Sequence, residues 1–133
     1  MKRLFLDSGA VDRLARDNLL ASANIKRLRD EGYWPPRLHT VVLAECVSGR
    51  QRDDAPVNRF IKTCSVVEEL PKRFARRAGE LRTKTKKGSV VDALLVAMAE
   101  HGGTVLTDDS GDIRALASNA NGATVVSSKP AKR

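Results

Sequence analysis

Four acidic residues of this sequence lie where carboxylates could act together. Asp7 and Asp109 each follow a short apolar run of strand length, whereas Glu45 and Asp92 lie in apolar helical runs. A carboxylate that ends a buried strand lies at the carboxyl edge of its sheet, where open α/β sheets bind ligands. Several carboxylates at one edge would raise one another's pKa unless a cation held them. The pattern therefore predicts a site for a hard divalent cation, Mg²⁺ or its substitute Mn²⁺.

Three of these acids also have a structural explanation. Asp7 could cap the first helix, Ser89-Val90-Val91-Asp92 fits a capping box, and Asp109-Ser110-Gly111-Asp112 could be the same device. Glu45 lies in mid-helix, where capping offers nothing. Its carboxylate must point into solvent, find a cation or lie in a pocket that uses its charge.

The charge of the chain favours a nucleic-acid partner over a merely solvated surface. Lysines and arginines number 24 against 16 acidic residues, which gives a net charge of +8, and many of them cluster between residues 72 and 87. Three of these residues, Lys84, Lys86 and Lys87, come shortly before Asp92 in the sequence. We expect these three lysines to bind phosphates beside a metal that activates water for attack on a phosphodiester.

Apolar strands alternate with helices along the chain. The pattern predicts strands at 3–6, 37–40, 64–70, 104–107 and 124–126, and helices at 9–15, 19–30, 41–47, 57–63, 90–100 and 113–118, with a long basic helix from Pro71. Thr40 is expected to cap the third helix, 50–55 to be a polar loop, and Pro56 to open the next helix. This order indicates an α/β fold with a mostly parallel sheet of about five strands, covered on both faces. We expect one domain, 1–127, and a basic, flexible tail, 128–133.

Several classes of protein are disfavoured by composition. No run approaches the roughly 18 apolar residues of a membrane span, and the first apolar run is too short for a signal peptide. Cys46 and Cys64 have no metal or redox spacing, and His39 and His101 are isolated, which argues against zinc. A soluble cytoplasmic protein with reduced thiols is the expectation.

At its acidic residues the sequence resembles the PIN-domain ribonucleases, and most closely the VapC toxins of bacterial toxin–antitoxin pairs. The four motifs of that family are matched, in order, by Leu4-Phe5-Leu6-Asp7-Ser8, Thr40-Val41-Val42-Leu43-Ala44-Glu45, Val91-Asp92-Ala93-Leu94-Leu95-Val96-Ala97 and Val105-Leu106-Thr107-Asp108-Asp109-Ser110-Gly111-Asp112-Ile113. Each motif is loose, but four in order over residues 3 to 127 are fairly specific.

The resemblance implies a PIN-like three-layer α/β/α sandwich and a Mg²⁺-dependent endoribonuclease. Such proteins often form homodimers and are neutralised by a cognate, VapB-like antitoxin. The implied catalytic residues are Asp7, Glu45, Asp92 and Asp109, and the expected metal ligands are Asp7, Asp92, Asp109 and Asp112. Asp109 is aligned with the fourth acid because Thr-x-Asp is the commoner form, which makes Asp108 an exposed turn residue.

Two other functions are also compatible with the sequence. A non-catalytic nucleic-acid-binding or regulatory module could have the same fold, although the complete acidic set favours an enzyme. A DNA nuclease is the other, because nothing in the sequence reads a 2′-hydroxyl. A phosphate-accepting receiver domain is disfavoured, since its third strand would need a terminal Asp where this chain has Glu69-Leu70-Pro71.

Overall fold

One parallel sheet forms the centre of the molecule, in a computed structural model that describes residues 2–108 and 110–128. Its strands are β1 (Leu4–Leu6), β2 (Arg37–His39), β3 (Ser65–Val67), β4 (Thr104–Thr107) and β5 (Thr124–Ser127). The order across the sheet is β3-β2-β1-β4-β5, and every neighbouring pair is parallel. The predicted α/β fold with a five-stranded parallel sheet is confirmed.

Seven helices of the described residues cover this sheet. They are α1 (Ser8–Leu14), α2 (Leu19–Asp30), α3 (Thr40–Cys46), α4 (Gln51–Ile61), α5 (Lys72–Thr85), α6 (Val90–Ala99) and α7 (Ser110–Ser118). Helix α1 packs against α2, α3 and α4, whereas α5 packs against α6 and α7. All three residues of β1 are buried because it is the central strand of a covered sheet, and α6 is buried from Ala93 to Ala99 because it packs between the sheet and α5.

The strand order creates a crevice at one edge of the sheet. From β1 the chain moves through β2 to β3 in one direction, and from β4 it moves to β5 in the opposite direction. Right-handed connections in opposite directions place their helices on opposite faces of a sheet. The carboxyl ends of β1 and β4 therefore flank the switch point at which α/β sheets bind ligands.

Two helix starts differ from the sequence prediction. Thr40 does not cap α3 but is its first residue, and the cap is His39, whose Nδ1 accepts from the Val41 amide at 3.1 Å. The predicted loop at 50–55 and helix at 57–63 are one helix, α4, with Pro56 inside it. A proline there removes one helical hydrogen bond.

The start of α4 is stabilised by a buried acid that the sequence analysis overlooked. Asp54 accepts hydrogen bonds from the backbone amides of Ser48 at 2.8 Å and Gly49 at 2.9 Å. These bonds hold the pKa of Asp54 below its usual value, with the Ser48 amide making the largest contribution. The bonds tie the turn after α3 to the first turn of α4, which offsets the interruption at Pro56.

The remaining differences lie at the ends of elements. Strand β3 stops at Val67, short of the predicted residue 70, and the Glu69 carbonyl instead bonds His39 Nε2 at 2.8 Å. Helix α7 begins at Ser110, three residues before its predicted start. Ser128, the predicted first residue of the tail, is buried, and its amide donates to the Thr107 carbonyl at 2.8 Å. Residues 129–133 lie outside the described residues, so the flexible tail stays a prediction.

Candidate active site at the carboxyl edge of the sheet

Asp7 is the buried acid of the crevice between β1 and β4. Only 9% of the residue is exposed, and it is the N-cap of α1, with Oδ1 accepting from the Ala10 amide at 2.8 Å. The Thr107 hydroxyl, at the end of β4, donates to Oδ2. The backbone amide of Asp108 is a third hydrogen-bond donor to this carboxylate. The capping explanation of Asp7 is thus correct, yet β4 also holds the carboxylate, which local capping does not require.

Asp92 reaches the same crevice from the other helical layer. The capping box of α6 is present: Ser89 Oγ accepts from the Asp92 amide at 3.0 Å, and Asp92 Oδ2 accepts from the Ser89 amide at 3.3 Å. The cap engages only one carboxylate oxygen, so Oδ1 is not committed to it. Capping and cation binding are therefore compatible at this residue.

Glu45 lies on the exposed side of α3, where the sequence left three alternatives. Within the described part of the chain, no cation forms an ion pair with it. Partial burial of its carboxyl raises its pKa, and the charges of Asp92 and Asp7 raise it further. The structure thus brings Glu45, Asp7 and Asp92 into one electrostatic neighbourhood from three helices.

The electrostatics of Asp7 agree with this convergence. Burial raises its pKa above the ordinary value, and the charge of Asp92 adds to the increase. The hydrogen bonds from Thr107, Ala10 and Asp108 act in the opposite direction without cancelling it. A bound cation would offset both the cost of burying the Asp7 charge and the repulsion from Asp92.

A cavity of about 290 Å³ opens next to Glu45. It is lined by Ser8, Gly9, Asp12, Glu45, Cys46 and Val57. Burial, followed by the charges of Glu45, Asp12 and Asp7, raises the pKa of the Cys46 thiol to about 11. The thiol is therefore protonated near neutral pH and packs against the core, as predicted for a small core residue.

The fourth motif is described only in part. Asp109 lies outside the described residues, so its predicted catalytic and metal-binding roles stay predictions. Asp112 is exposed in the first turn of α7, and its metal-binding role also stays a prediction. The expectation for Asp108 is wrong: it is not an exposed turn residue but is partly buried, with Oδ1 accepting from Arg13 Nε at 2.7 Å and from Ser128 Oγ at 3.3 Å.

The donor set of the crevice suits a hydrated magnesium ion better than a closed cage. Among residues 2–108 and 110–128, no three His, Cys, Asp or Glu side chains are grouped so as to hold a metal ion. Mg²⁺ commonly keeps several waters and binds proteins through one or two carboxylates. Asp7 and Asp92 supply carboxylate oxygens of that kind, and the charge of Asp92 raises the pKa of Asp7.

A basic cleft of about 490 Å³ lies where α5 leads into α6. It is lined by Arg82, Thr83, Lys86, Lys87 and Gly88. Two of the three lysines predicted to bind RNA are therefore in the cleft, whereas Lys84 is exposed on α5 outside its lining. Gly88 has a φ of +89°, and a Cβ there would meet Leu116 Cδ1 at 2.5 Å, so the turn that joins cleft to capping box requires glycine.

Sequence reasoning missed the residues that hold the acids in place. Thr107 was assigned to a strand and to the fourth motif but not to the site, although its position just before the acids could have indicated a hydrogen bond to a neighbouring strand end. Arg13 gave no signal, because its partner is 95 residues away in the sequence. Asp12 was not singled out, and one turn of α1 brings it to the cavity beside Glu45.

No helix among the described residues combines the length and apolar character needed to cross a membrane.

Solved structures show the same fold at low sequence identity. VapBC2 from Rickettsia felis, bound to a DNA fragment from their promoter, gives a TM-score of 0.70 at 14% identity over 93% of this chain and 97% of that chain. PAE2754 from Pyrobaculum aerophilum gives 0.62 at 16% identity over 93% and 89% of the two chains. FitAcB from Neisseria gonorrhoeae gives 0.57 at 16% identity over 91% and 96%.

The sequence itself matches no protein-family model and no curated protein. At such identities the structural likeness establishes the fold, and function must be argued from the site. This chain has the fold of these three proteins, which agrees with the fold that the resemblance in the sequence implies.

Proposed function

We propose that this protein is a metal-dependent endoribonuclease of the VapC type. The observation on which the proposal depends is the convergence of Asp7, Glu45 and Asp92 at the switch point of the sheet. Burial and like charges raise the pKa of two of these acids, which is the electrostatic pattern of a site built for a cation. Asp109 and Asp112 are proposed to complete the set.

A bound Mg²⁺ or Mn²⁺ would polarise a water and stabilise the charge that develops on a phosphodiester. Asp7 and Asp92 would hold the ion, since each has carboxylate oxygen capacity beyond its helix cap. The Thr107 hydroxyl and the Ala10 amide fix the orientation of the Asp7 carboxylate. Glu45 is exposed and has a raised pKa, so it can orient the attacking water or accept its proton.

The substrate path is proposed to follow the basic cleft toward the acids. Lys86 and Lys87 line the cleft, and Lys84 is exposed on the adjoining turn of α5. The chain passes from these lysines through Gly88 to Ser89 and the start of α6. Phosphates held by the lysines would thus lie near the start of α6, on the side of the carboxylate crevice.

Partners are proposed from the fold likeness. VapBC2 of Rickettsia felis is described bound to a promoter DNA fragment. We propose by analogy that a VapB-like antitoxin neutralises this chain and that the chain forms a homodimer. A small DNA-binding protein encoded immediately upstream would be the candidate antitoxin.

The proposal is tested by incubating the purified chain with end-labelled RNA and with single-stranded and duplex DNA of the same sequence. We expect RNA cleavage in Mg²⁺ or Mn²⁺, little in Ca²⁺, whose larger and looser shell suits the chemistry poorly, and none in EDTA. Glu45→Gln should be inactive, and its metal-free form should melt no lower than the wild type, because the substitution removes a repelled charge.

Other outcomes identify the alternatives. Full activity in EDTA would remove the metal from the mechanism, and preferential cleavage of DNA would reassign the substrate. Nucleic-acid binding without cleavage under any metal would favour the non-catalytic module. A clear drop in the melting temperature of metal-free Glu45→Gln would assign Glu45 a structural role.

A further inference from the structure

Asp108 joins three segments of the molecule that are far apart in sequence. Its Oδ1 accepts from Arg13 Nε, near the end of α1, at 2.7 Å, and from Ser128 Oγ, just after β5, at 3.3 Å. Only 23% of the Arg13 side chain and 33% of the Asp108 side chain are exposed. An ion pair with this degree of burial is screened less than the exposed pair that Asp12 of α1 forms with Arg16.

The contact between α1 and this turn is close enough to restrict the residue type at position 9. A Cβ added to Gly9 would lie 2.5 Å from Asp108 Cβ, a distance that real Cβ atoms do not show. Helix α1 therefore approaches the turn after β4 at its first residues through Gly9 and at its last residues through Arg13. Two separate contacts fix the turn against one helix.

Thr107 and the backbone of Asp108 hold the Asp7 carboxylate. The Thr107 hydroxyl and the Asp108 amide both donate to Asp7, which caps the helix from which Arg13 extends. The connections form a closed ring: Asp7 begins α1, α1 presents Arg13, Arg13 binds Asp108, and the Asp108 amide returns to Asp7. The side chain of Asp108 therefore binds Arg13, while its backbone amide donates to the carboxylate of Asp7.

We propose that Arg13 and Asp108 are positioning residues for the metal site, and this inference rests on the proposed function. The ion pair holds the turn so that its amide and the Thr107 hydroxyl fix the Asp7 carboxylate. It also neutralises the charge of Asp108, which would otherwise add to the repulsion in the crevice. Groups that orient a metal ligand typically change metal affinity 10- to 100-fold when they are removed.

The test compares Arg13 with Arg16, which lies just beyond the end of α1. Arg16 pairs with Asp12 at 3.2 Å, and both side chains of that pair are more than half exposed, so Arg16→Gln is the matched control for Arg13→Gln. Mn²⁺ affinity is measured by electron paramagnetic resonance without RNA. We expect Arg13→Gln to weaken Mn²⁺ binding by about tenfold, and Arg16→Gln to bind as the wild type does.

Three further variants separate positioning from simple folding. Asp108→Asn should weaken Mn²⁺ binding as Arg13→Gln does, and the double variant should be no weaker than either single one, because both break one interaction. Arg13→Lys retains the charge and should recover most of the affinity. Amide hydrogen exchange at Asp108 should be faster in Arg13→Gln than in Arg16→Gln.

Each outcome decides between the hypotheses. Equal Mn²⁺ affinity in Arg13→Gln and Arg16→Gln would overturn the positioning role, as would an Arg13→Lys variant as weak as Arg13→Gln. If Arg13→Gln does not fold, Arg13→Lys and Asp108→Asn provide the decision. A wild-type chain that binds Mn²⁺ without cleaving RNA contradicts the proposed function alone, whereas one that binds no Mn²⁺ overturns both inferences.

Discussion

Carboxyl groups at the two edges of the sheet have pKa values that are shifted in opposite directions. At the carboxyl edge, burial and like charge raise the pKa of Asp7 and Glu45. At the amino edge, Glu100 is only 7% exposed, yet hydrogen bonds from Arg77 hold its pKa below the usual value. Arg77 Nε and Nη2 donate to the two oxygens of Glu100, both at 2.9 Å.

Helix α6 connects these two environments. Asp92 lies in its first turn, where the helix dipole favours a negative charge, and Glu100 follows its last turn, where the dipole disfavours one. The chain supplies Glu100 with an arginine and with the Asn121 amide, at 2.8 Å. No cation of the described residues forms an ion pair with Asp7 or Asp92. Glu100, which has its own arginine, is a structural acid, whereas Asp7 and Asp92 are the acids that we propose as ligands of a cation.

The largest expected effect is the loss of activity in Asp7→Asn. The amide keeps the shape and can still cap α1, but it removes a charge from the metal site. Cleavage should fall by about a thousandfold, because metal stabilisation of the transition state is worth several kcal/mol. RNA cleavage and circular dichroism are measured on the same preparation. If activity is lost only because the protein unfolds, Asp7 is a structural cap and the contrast between the two edges disappears.

The amino edge should show the reverse pattern in Arg77→Gln. This change leaves Glu100 buried and charged without its partner, which should lower the free energy of unfolding by about 3 kcal/mol. The neighbouring Arg76 is exposed, so Arg76→Gln serves as the control. Urea unfolding gives the stability, and RNA cleavage by the folded protein should be unchanged. Equal stability of the two variants would mean that the ion pair contributes nothing.

The pH dependence of stability should distinguish the edges by sign. The lowered pKa of Glu100 contributes stability above its ordinary value of 4.5, and this contribution is lost as the pH falls through the folded pKa. The raised pKa of Asp7 has the opposite effect on stability. Its charged form destabilises the folded protein, and this destabilisation is lost by protonation as the pH falls through the raised pKa toward the ordinary value of 3.8. Urea unfolding from pH 3 to 6 is compared with the double variant Arg77→Gln/Glu100→Gln. The stability difference between the two proteins should shrink toward low pH, and a constant difference would contradict the assignment.

Local pattern was sufficient for the fold but not for the contacts that join distant segments. Alternating apolar strands and helices predicted the parallel sheet, because its period and its turn residues are local properties. The length of α4 was missed, since the Asp54 bonds that support its start come from the preceding turn. The ends of β3 and α7 also depend on neighbours in space.

Asp7 and Asp92 could be singled out because they lie at the end of a strand and the start of a helix, and Glu45 because it lies in the middle of an apolar helical run. Their supports could not. Arg13 looked like an ordinary helix-surface cation, and Asp108 looked like an exposed turn residue until the structure placed them together. Nothing in the sequence indicated that Glu100 pairs with Arg77, because only the folded structure brings α5 and α6 side by side. Charge pattern predicts where acids gather, and tertiary structure decides which of them are neutralised.

The smallest expected effect concerns the lysines at and just after the end of the basic helix α5, and it tests whether the two ends of that helix differ in RNA binding. Because Arg77 touches Glu100 and Gly88 leads into Ser89, the start of α5 lies toward the amino edge and its end toward the carboxyl edge. Replacing Lys84, Lys86 and Lys87 with Gln should weaken RNA binding. The slope of log affinity against log salt should fall by about one unit per lost phosphate contact.

The matched control removes the same charge from the other end of α5, with Lys72, Arg73 and Arg76 replaced by Gln. Its salt slope should match that of the wild type, because net charge alone would act equally in both triple variants. Turnover at saturating RNA should change little in either, since the proposed chemistry lies with the carboxylates. Equal slopes in the two triple variants would mean that the protein attracts RNA through overall charge. The RNA path would then be sought in the 50–52 segment or in residues 129–133.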